Sequence, residues 1–566
     1  MYSKKIENFL RKAINEALTS MARQGTIPAG SMSSVREGVV LEIPADVSHG
    51  DLATNIALRI SGLIGKNPMD YAPELARRIG KHLEKTGGAV YVEEVEVKRP
   101  GFINFRFSEK CIFEILNRIL EEGEHYGKTD IGVKGKVNIE FVSANPTGPL
   151  TIAHGRQAAF GDSLANILGF ANVKTSREYF INDEGNQINL LGESIRCRYL
   201  ELFKKRVAIP KNGYHGDYIK AIAAGMKDKY GSRYVRAEGL EPFAEYGLDY
   251  MLSEIKSDLK RFNVTFKVWF SQRSLTEKKR IDEALKRLKD RRLVYESGGA
   301  VWFKSTEFGD DKDRVIIKST GEYTYLAPDI AYHEEKFRRG FVKAIDIWGP
   351  DHHGYIPRIK AAVKALGHGE DSLEVLIVQL CTLYKGGEAV QMSTRAGKFI
   401  TLGNLMDEVG VDAARYFFLR RKRDSHLDFD LELAKNHSPD NPVYYIQYAH
   451  ARICSIMKYY KESSDHRKGR VDFREDHLRG DDEKSMIKLL GRFTNVIETC
   501  AENLEVFPLV SYLEEVAAAF HSYYNKYRFV TDDRGLTESR LFLCRAIRTV
   551  IANGLKLLGV RSPENM

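Results

Sequence analysis

Cysteine is sparse in this chain, and what there is does not come in pairs. The six cysteines (Cys111, Cys197, Cys381, Cys454, Cys500 and Cys544) are scattered through 566 residues with no Cys-x-x-Cys and no histidine at zinc-ligand spacing. That argues against a disulfide framework and against a zinc site, so no zinc is expected, no protein metal ligand is assigned, and the cysteines read as buried thiols. Long apolar runs are missing too. Nothing approaches the ~18 residues that cross a bilayer, and no membrane partner is expected. The first residues, Met1-Tyr2-Ser3-Lys4-Lys5-Ile6-Glu7, are charged and amphipathic, which argues against a secretory signal and makes the cytoplasm the default. No repeat with a period of about 20–50 residues and no low-complexity tract is visible, which removes solenoids from consideration. A strong charge excess is also absent: the formal +9, spread over this length, is compatible with a nucleic-acid partner without demonstrating one.

What is present, 29% charged and 43% hydrophobic residues, describes a globular protein too long for one core, with about three domains as the natural division. Its most organised stretch is Val137 to Leu168. Val137 to Val142 is a short apolar, β-branched run, Asn145-Pro146-Thr147-Gly148-Pro149 breaks regular structure, and from Ile152 the apolar spacing is that of a helix. His154, Gly155 and Arg156 then fall on a first helical turn, where free N–H groups and the helix dipole favour a phosphate and a compact Ala153-His154-Gly155 allows close approach. An ordinary β-loop-α unit with a surface histidine accounts for these residues equally well.

The run Pro146-Thr147-Gly148-Pro149-Leu150-Thr151-Ile152-Ala153-His154-Gly155-Arg156 resembles the nucleotide-binding signature of class I aminoacyl-tRNA synthetases, read His-Ile-Gly-His in that class. Its flank, Ser143-Ala144-Asn145, resembles the arginyl-tRNA synthetases in particular. Thr151 stands where the first histidine is expected and Ala153 where the glycine is. Thr151 donates a hydrogen bond but carries no charge.

Residues 1–110 read as a small α+β unit, with a helix over Ile6 to Met21, a second helix with Asp51 in its first turn, and strands between Ala89 and Phe107. The resemblance implies that this unit touches the tRNA. Residues 111–130 read as a connecting helix. From 131 to 405 strands and helices alternate, as in a doubly wound, Rossmann-like parallel sheet that binds at its carboxyl ends. A charged helical insertion occupies about 190–260, broken at Gly213-Tyr214-His215-Gly216. Residues 406–566 read as a helix bundle, the place of the family's anticodon-binding domain. Tyr444, Tyr448 and Arg452 there combine rings and charge suited to unstacked bases, and the chain end at Met566 matches the bacterial type.

A site that reads a guanidinium wants carboxylates and an aromatic wall. Glu140, Asn145, Tyr325 and Asp329 match the family's arginine-binding positions. Trp348-Gly349-Pro350-Asp351-His352-His353 ends an apolar run, and the resemblance assigns Gly349, Asp351 and His352 to ATP alongside the loop Ala144 to Gly155. Metal binding by adjacent His352 and His353 is disfavoured, because neighbours rarely point at one ion. Gln391-Met392-Ser393-Thr394-Arg395-Ala396-Gly397-Lys398 resembles the class's second signature, Lys-Met-Ser-Lys-Ser, with Gln391 and Thr394 replacing both lysines. Gln391, Met392 and Ser393 are assigned to ATP, and His154, Thr151, Ser393, Arg395 and Lys398 to catalysis. Arg395 is the expected replacement cation, followed by Lys398, then Lys136 or Lys385, since Gly148 occupies the position where some relatives carry a compensating lysine.

The resemblance implies an arginine–tRNA ligase that uses ATP with Mg2+ as substrate complex, takes the tRNA for arginine as partner, and is a monomer. Two alternatives stand beside it: another class I synthetase such as the cysteinyl type, which would need a zinc site, and a tRNA-binding paralogue that has lost catalysis.

Overall fold

The computed structural model describes residues 4–27, 39–44, 46–390, 400–462 and 475–566. The first unit packs helices Lys4–Arg23, Ile56–Ile64 and Ala72–Thr86 on an antiparallel sheet of β1 (Leu52–Thr54), β2 (Val92–Lys98) and β3 (Phe102–Phe107), in the order β1-β3-β2. Asp51 is not in a helical first turn. Leu52 pairs with Phe105, so a strand precedes the helix, and the Asp51 carboxylate accepts from the Phe107 N–H at 2.7 Å and pairs with Lys488 at 2.7 Å. Tertiary pairing has overridden a local helical pattern. The connecting helix, Glu109–Glu122, opens on Ser108, whose Oγ accepts from the Cys111 N–H, and buries Ile112, Ile115, Leu116 and Ile119.

The central sheet begins with β4 (Lys136–Glu140), β5 (Lys174–Ile181) and β6 (Val268–Ser271). Between β5 and β6 the chain forms helices Asn186–Glu201, Asp217–Tyr230 and Glu241–Arg261, whose own core includes Leu191, Tyr199, Ile222 and Phe243. An antiparallel meander of β7 (Val294–Ser297), β8 (Ala300–Phe303) and β9 (Arg314–Ile317) follows. Then β10 (Phe341–Trp348) and β11 (Leu373–Ile377) complete a five-stranded, all-parallel sheet in the order β11-β10-β4-β5-β6. The chain first lays strands to one side of β4 and then to the other, so the topological switch lies between β4 and β10, and a ligand belongs at their carboxyl ends.

A smaller sheet, β13-β12-β14, joins β12 (Cys381–Lys385) and β13 (Glu388–Ala389) to β14 (Leu427–Asp430) across the expected boundary at 405/406. Helices Pro442–Glu462, Asp481–Gly491, Phe493–Glu502, Phe507–Lys526 and Arg534–Leu557 form the bundle. Its apolar faces belong to the same continuous core as the first unit and one face of the central sheet, with Leu10, Phe105, Ile139, Ile167, Phe520 and Ile547 all fully buried. No helix among the described residues is long and apolar enough to cross a membrane.

Candidate functional site

At the switch point lies a cavity of about 360 Å³ walled by the ends of β4 and β10, the first turns of helices Ile152–Phe170 and Leu326–Arg338, and Phe180 of β5. A larger space, about 900 Å³ between the first unit and the bundle, is lined by charges that pair with one another: Lys488 with Asp51, Lys484 with Glu109, Arg492 with Glu515. These charges are already paired, whereas the smaller cavity has polar atoms pointing into it.

The loop after β4 is under strain. Val142 and Ser143 have φ of 69° and 38°, and for a β-branched residue such a conformation costs about 1–3 kcal/mol and persists only where the surroundings impose it. Here β5 imposes it. Ser143 Oγ accepts from the Phe180 N–H at 3.1 Å and donates to Glu140 at 2.9 Å, and the Tyr179 hydroxyl donates to the Ala144 carbonyl at 2.8 Å. From the insertion, the Tyr218 hydroxyl donates to the Thr147 carbonyl at 2.8 Å and passes beside Gly148. Asn145 is exposed at the mouth, its Oδ1 accepting from Asn182 at 3.3 Å, which leaves its amide N–H groups for a ligand.

Thr151 is the N-cap of the helix Ile152–Phe170. Its backbone N–H donates to His154 Nδ1 at 3.1 Å, and its hydroxyl lies 3.2 Å from the same nitrogen. Nδ1 is therefore the acceptor and the hydrogen sits on Nε2. Burial lowers the His154 pKa from 6.5 to about 4 against the opposing charge of Asp351, so the ring is a neutral donor at physiological pH. Thr151 thus holds the histidine ring in one orientation. Gly155 is required by packing: a Cβ there would stand 2.8 Å from Leu402 Cδ1 and 3.0 Å from Phe418 Cε2.

Helix Leu326–Arg338 presents Asp329 to the cavity, where the Tyr355 hydroxyl donates to its Oδ2 at 2.5 Å. Burial raises the Asp329 pKa above the ordinary carboxylate value, opposed by Tyr355, His333 and His352. Below it, Lys336 is fully buried with Nζ 2.6 Å from Glu140 Oε2 and 2.7 Å from Asp346 Oδ1. Burial raises Glu140 despite Lys336, while Asp346 resists burial and stays near 2 because Lys336 and His333 both face it. Glu140 lines the cavity, but both its oxygens already accept, from Lys336 and Ser143.

Tyr325 is not the expected aromatic wall. It is 83% exposed and does not line the cavity, because a side chain at a helix start leans toward the N-terminus and off the end of the element. Phe180, Tyr332, Trp348 and Tyr355 supply the rings instead. Gly349, Asp351 and His352 do line the cavity. Lys136 opens β4, about 13 Å of strand from Glu140 at its far end, and so lies away from the site. Lys385 pairs with Glu408 at 3.6 Å on β12. Gln391, Met392, Ser393, Thr394, Arg395 and Lys398 lie outside the described residues. The chain on either side of them is anchored: Val390 donates to Leu383, Thr401 bridges to Thr151, and the Leu402 N–H donates to the Leu150 carbonyl, 2.8 Å away.

Sequence reasoning missed Gln157, Tyr332, His333, Lys336, Asp346 and Tyr355. Two signals were legible: an aspartate inside the apolar run Phe341–Trp348, which costs too much unless paired, and Asp329, His333 and Lys336 at helical spacing on one face.

Three families match successive parts of the chain. They are an arginyl tRNA synthetase N terminal domain over residues 8–107, a catalytic domain of class I tRNA synthetases (R) over 115–438, and a DALR anticodon binding domain over 446–566. The arginine--tRNA ligase of Bacillus licheniformis is 44% identical over 567 residues, covering 99% of each chain. That of Syntrophotalea carbinolica is 45% identical over 562 residues, covering 98% of this chain and 99% of the relative. The solved arginyl-tRNA synthetase of Thermus thermophilus superimposes with a TM-score of 0.75 over 98% of this chain and all of its own, and at 20% identity it speaks for the fold.

Proposed function

The chain belongs to the arginyl-tRNA synthetases and is a class I arginine–tRNA ligase, and from that premise we propose how its residues divide the work. The enzyme joins the arginine carboxylate to the α-phosphate of ATP, releasing pyrophosphate, and then passes the arginyl group from the adenylate to the 3′-terminal adenosine of the tRNA, releasing AMP. No protein nucleophile is required, so positioning and charge stabilisation carry the rate.

Asp329 accepts the guanidinium. The observation that carries this reading is a carboxylate held by Tyr355 through one oxygen, with the other open to a cavity walled by rings. Asn145 donates to the arginine carboxylate. His154 donates from Nε2 to the phosphate, and the first free amides of its helix add to that field. Gly349, Asp351 and His352 face the adenosine, and Mg2+ enters with ATP as part of the substrate. Arg395 stands beside Thr394, where the class places its second signature lysine, and its planar fork suits two phosphate oxygens. Arg395→Ala should lower arginine-dependent pyrophosphate exchange about ten- to a thousand-fold. Unchanged rates for both Arg395→Ala and Lys398→Ala would place the cation elsewhere, with Lys385 next.

Tyr444, Tyr448, Arg452 and the exposed Met566 form the anticodon face. Support comes from the stacked Tyr444 and Tyr448 rings, 6.0 Å apart, beside Arg452. A reducing, cytoplasmic location accords with six free cysteines, and a monomer is the working state, to be checked by light scattering.

Asp329→Ala tests the pocket. Removing one partner of a partly buried charge pair costs about 3–5 kcal/mol, so KM for arginine should rise by two orders of magnitude or more while KM for ATP hardly moves. Equal loss for both substrates would make Asp329 a structural carboxylate.

A further inference from the structure

One buried group in the wall of the cavity has no place in that division of work. His333 is 4% exposed and follows Asp329 by four residues on helix Leu326–Arg338, so it lies under the same face. Its Nε2 is 2.7 Å from Asp346 Oδ2 and its Nδ1 is 2.8 Å from the backbone carbonyl oxygen of Asp329. Both partners are acceptors: a carbonyl has no hydrogen to give, and the Lys336 ammonium beside Asp346 favours its ionised carboxylate. The ring is therefore held at both nitrogens, one toward the sheet and one toward the first turn of its own helix.

We infer that His333 is a positioning residue for arginine, tying the backbone of Asp329 to the end of β10 while Tyr355 holds the carboxylate. Asp329 sits in the first turn of its helix, just after the point where Thr324 ties the chain to β9 through the Val315 and Ile316 carbonyls. The ring bridges that turn to the sheet, and the hydroxyl fixes the side chain, so the open oxygen of Asp329 is set by two clamps from different elements. The inference rests on the reading of Asp329 as the guanidinium acceptor.

Aminoacylation at saturating tRNA separates the two. KM for arginine and for ATP is measured for the unaltered enzyme, His333→Gln, Asp329→Asn and the double variant, with thermal midpoints alongside. His333→Gln should raise KM for arginine about ten- to a hundred-fold with KM for ATP near its starting value. If His333 acts only through Asp329, the double variant should be no worse than Asp329→Asn alone. Additive losses, or an equal rise for ATP, would overturn the inference. A rise for Asp329→Asn without one for His333→Gln would overturn it and leave the reading of the pocket standing, whereas no rise for Asp329→Asn would remove that reading and the inference with it. Should His333→Gln fail to fold, His333→Asn and Asp346→Asn break the same clamp and are read by the same criteria.

Discussion

Thr151 shows what a departure from a signature does at the scale of one residue. A histidine in its place would offer the phosphate a second imidazole. Threonine instead turns its N–H and hydroxyl onto His154 Nδ1 and commits the remaining imidazole to donating from Nε2. Removing one preorganised donor of this kind typically lowers kcat by about 10²–10³-fold, so His154→Gln should do so with little change in either KM. The pH dependence has a definite sign. Because burial lowers the folded-state pKa of His154 from 6.5 to about 4, the unfolded chain takes up the proton first as the pH falls. His154 costs the fold nothing above pH 6.5 and progressively more between 6.5 and about 4, so urea midpoints of His154→Gln should decline less over that interval than those of the unaltered protein. Identical slopes would place the histidine in solvent. None of this was visible in the run Thr151-Ile152-Ala153-His154, where only the donor count of each residue could be read.

At the scale of elements, two fully or almost fully buried arginines fasten the site to the rest of the chain. Arg156, two residues past His154, donates to the carbonyls of Gln379, Leu380, Lys422 and Ser425. Arg415, on helix Val411–Leu419, donates to the carbonyls of Leu558, Phe262 and Asn263 and pairs with Asp162 at 2.7 Å, on the His154 helix itself. These carbonyls have lost water, and an ammonium cannot reach them in the guanidinium's planar arrangement. Arg415→Met should therefore cost about 3–5 kcal/mol, read as a lower urea midpoint, and Arg415→Lys should recover little of it. A midpoint within error of the starting protein would show that the carbonyls find other donors. From the sequence Arg156 read only as part of a phosphate-binding turn, and Arg415 was not distinguished within the helix bundle; their partners lie up to 269 residues away.

For the whole molecule, these ties and the shared core bear on how the tRNA-reading part can be tested. Ser163 Oγ and Asn166 Nδ2 on the His154 helix donate to the carbonyls of Leu558 and Leu557, and Gln447 and His450 hold the carbonyls of Arg561 and Pro563. Cutting the chain after Asp407 would expose apolar surface on the central unit and strip Asp162 of one of its two arginines, leaving Arg177, so a truncated protein would report on folding before it reported on tRNA. Point changes are the cleaner probe. Tyr444 stacks on Tyr448 and lies 5.7 Å from the His437 ring, with Arg452 held between Tyr448 and Tyr524. Tyr444→Ala should weaken tRNA binding by about 1–3 kcal/mol while leaving KM for arginine and ATP unchanged. Because a stacking ring neutralises no phosphate, the slope of log Kd against log salt should stay as it was. Wild-type affinity would assign the ring to the core.

What the sequence determined by itself was periodic or local. The parallel sheet, the break before Ile152, the helical insertion and the final bundle follow from apolar spacing and turn residues, which depend only on neighbours along the chain. The family resemblance, and not spacing, assigned His154, Asp329 and Asp351 to one site, and all three line the cavity. Tertiary structure decided the rest. Asp51 became the partner of a strand and of Lys488, Tyr325 turned to solvent, and Glu140 spent its charge on Lys336. Val142 was forced to a positive φ that valine avoids on its own. In each case the deciding partner lies on another element: a buried charge is tolerable only beside its counter-charge, and a strained backbone only where packing holds it. Neither condition can be read from a residue's neighbours along the chain.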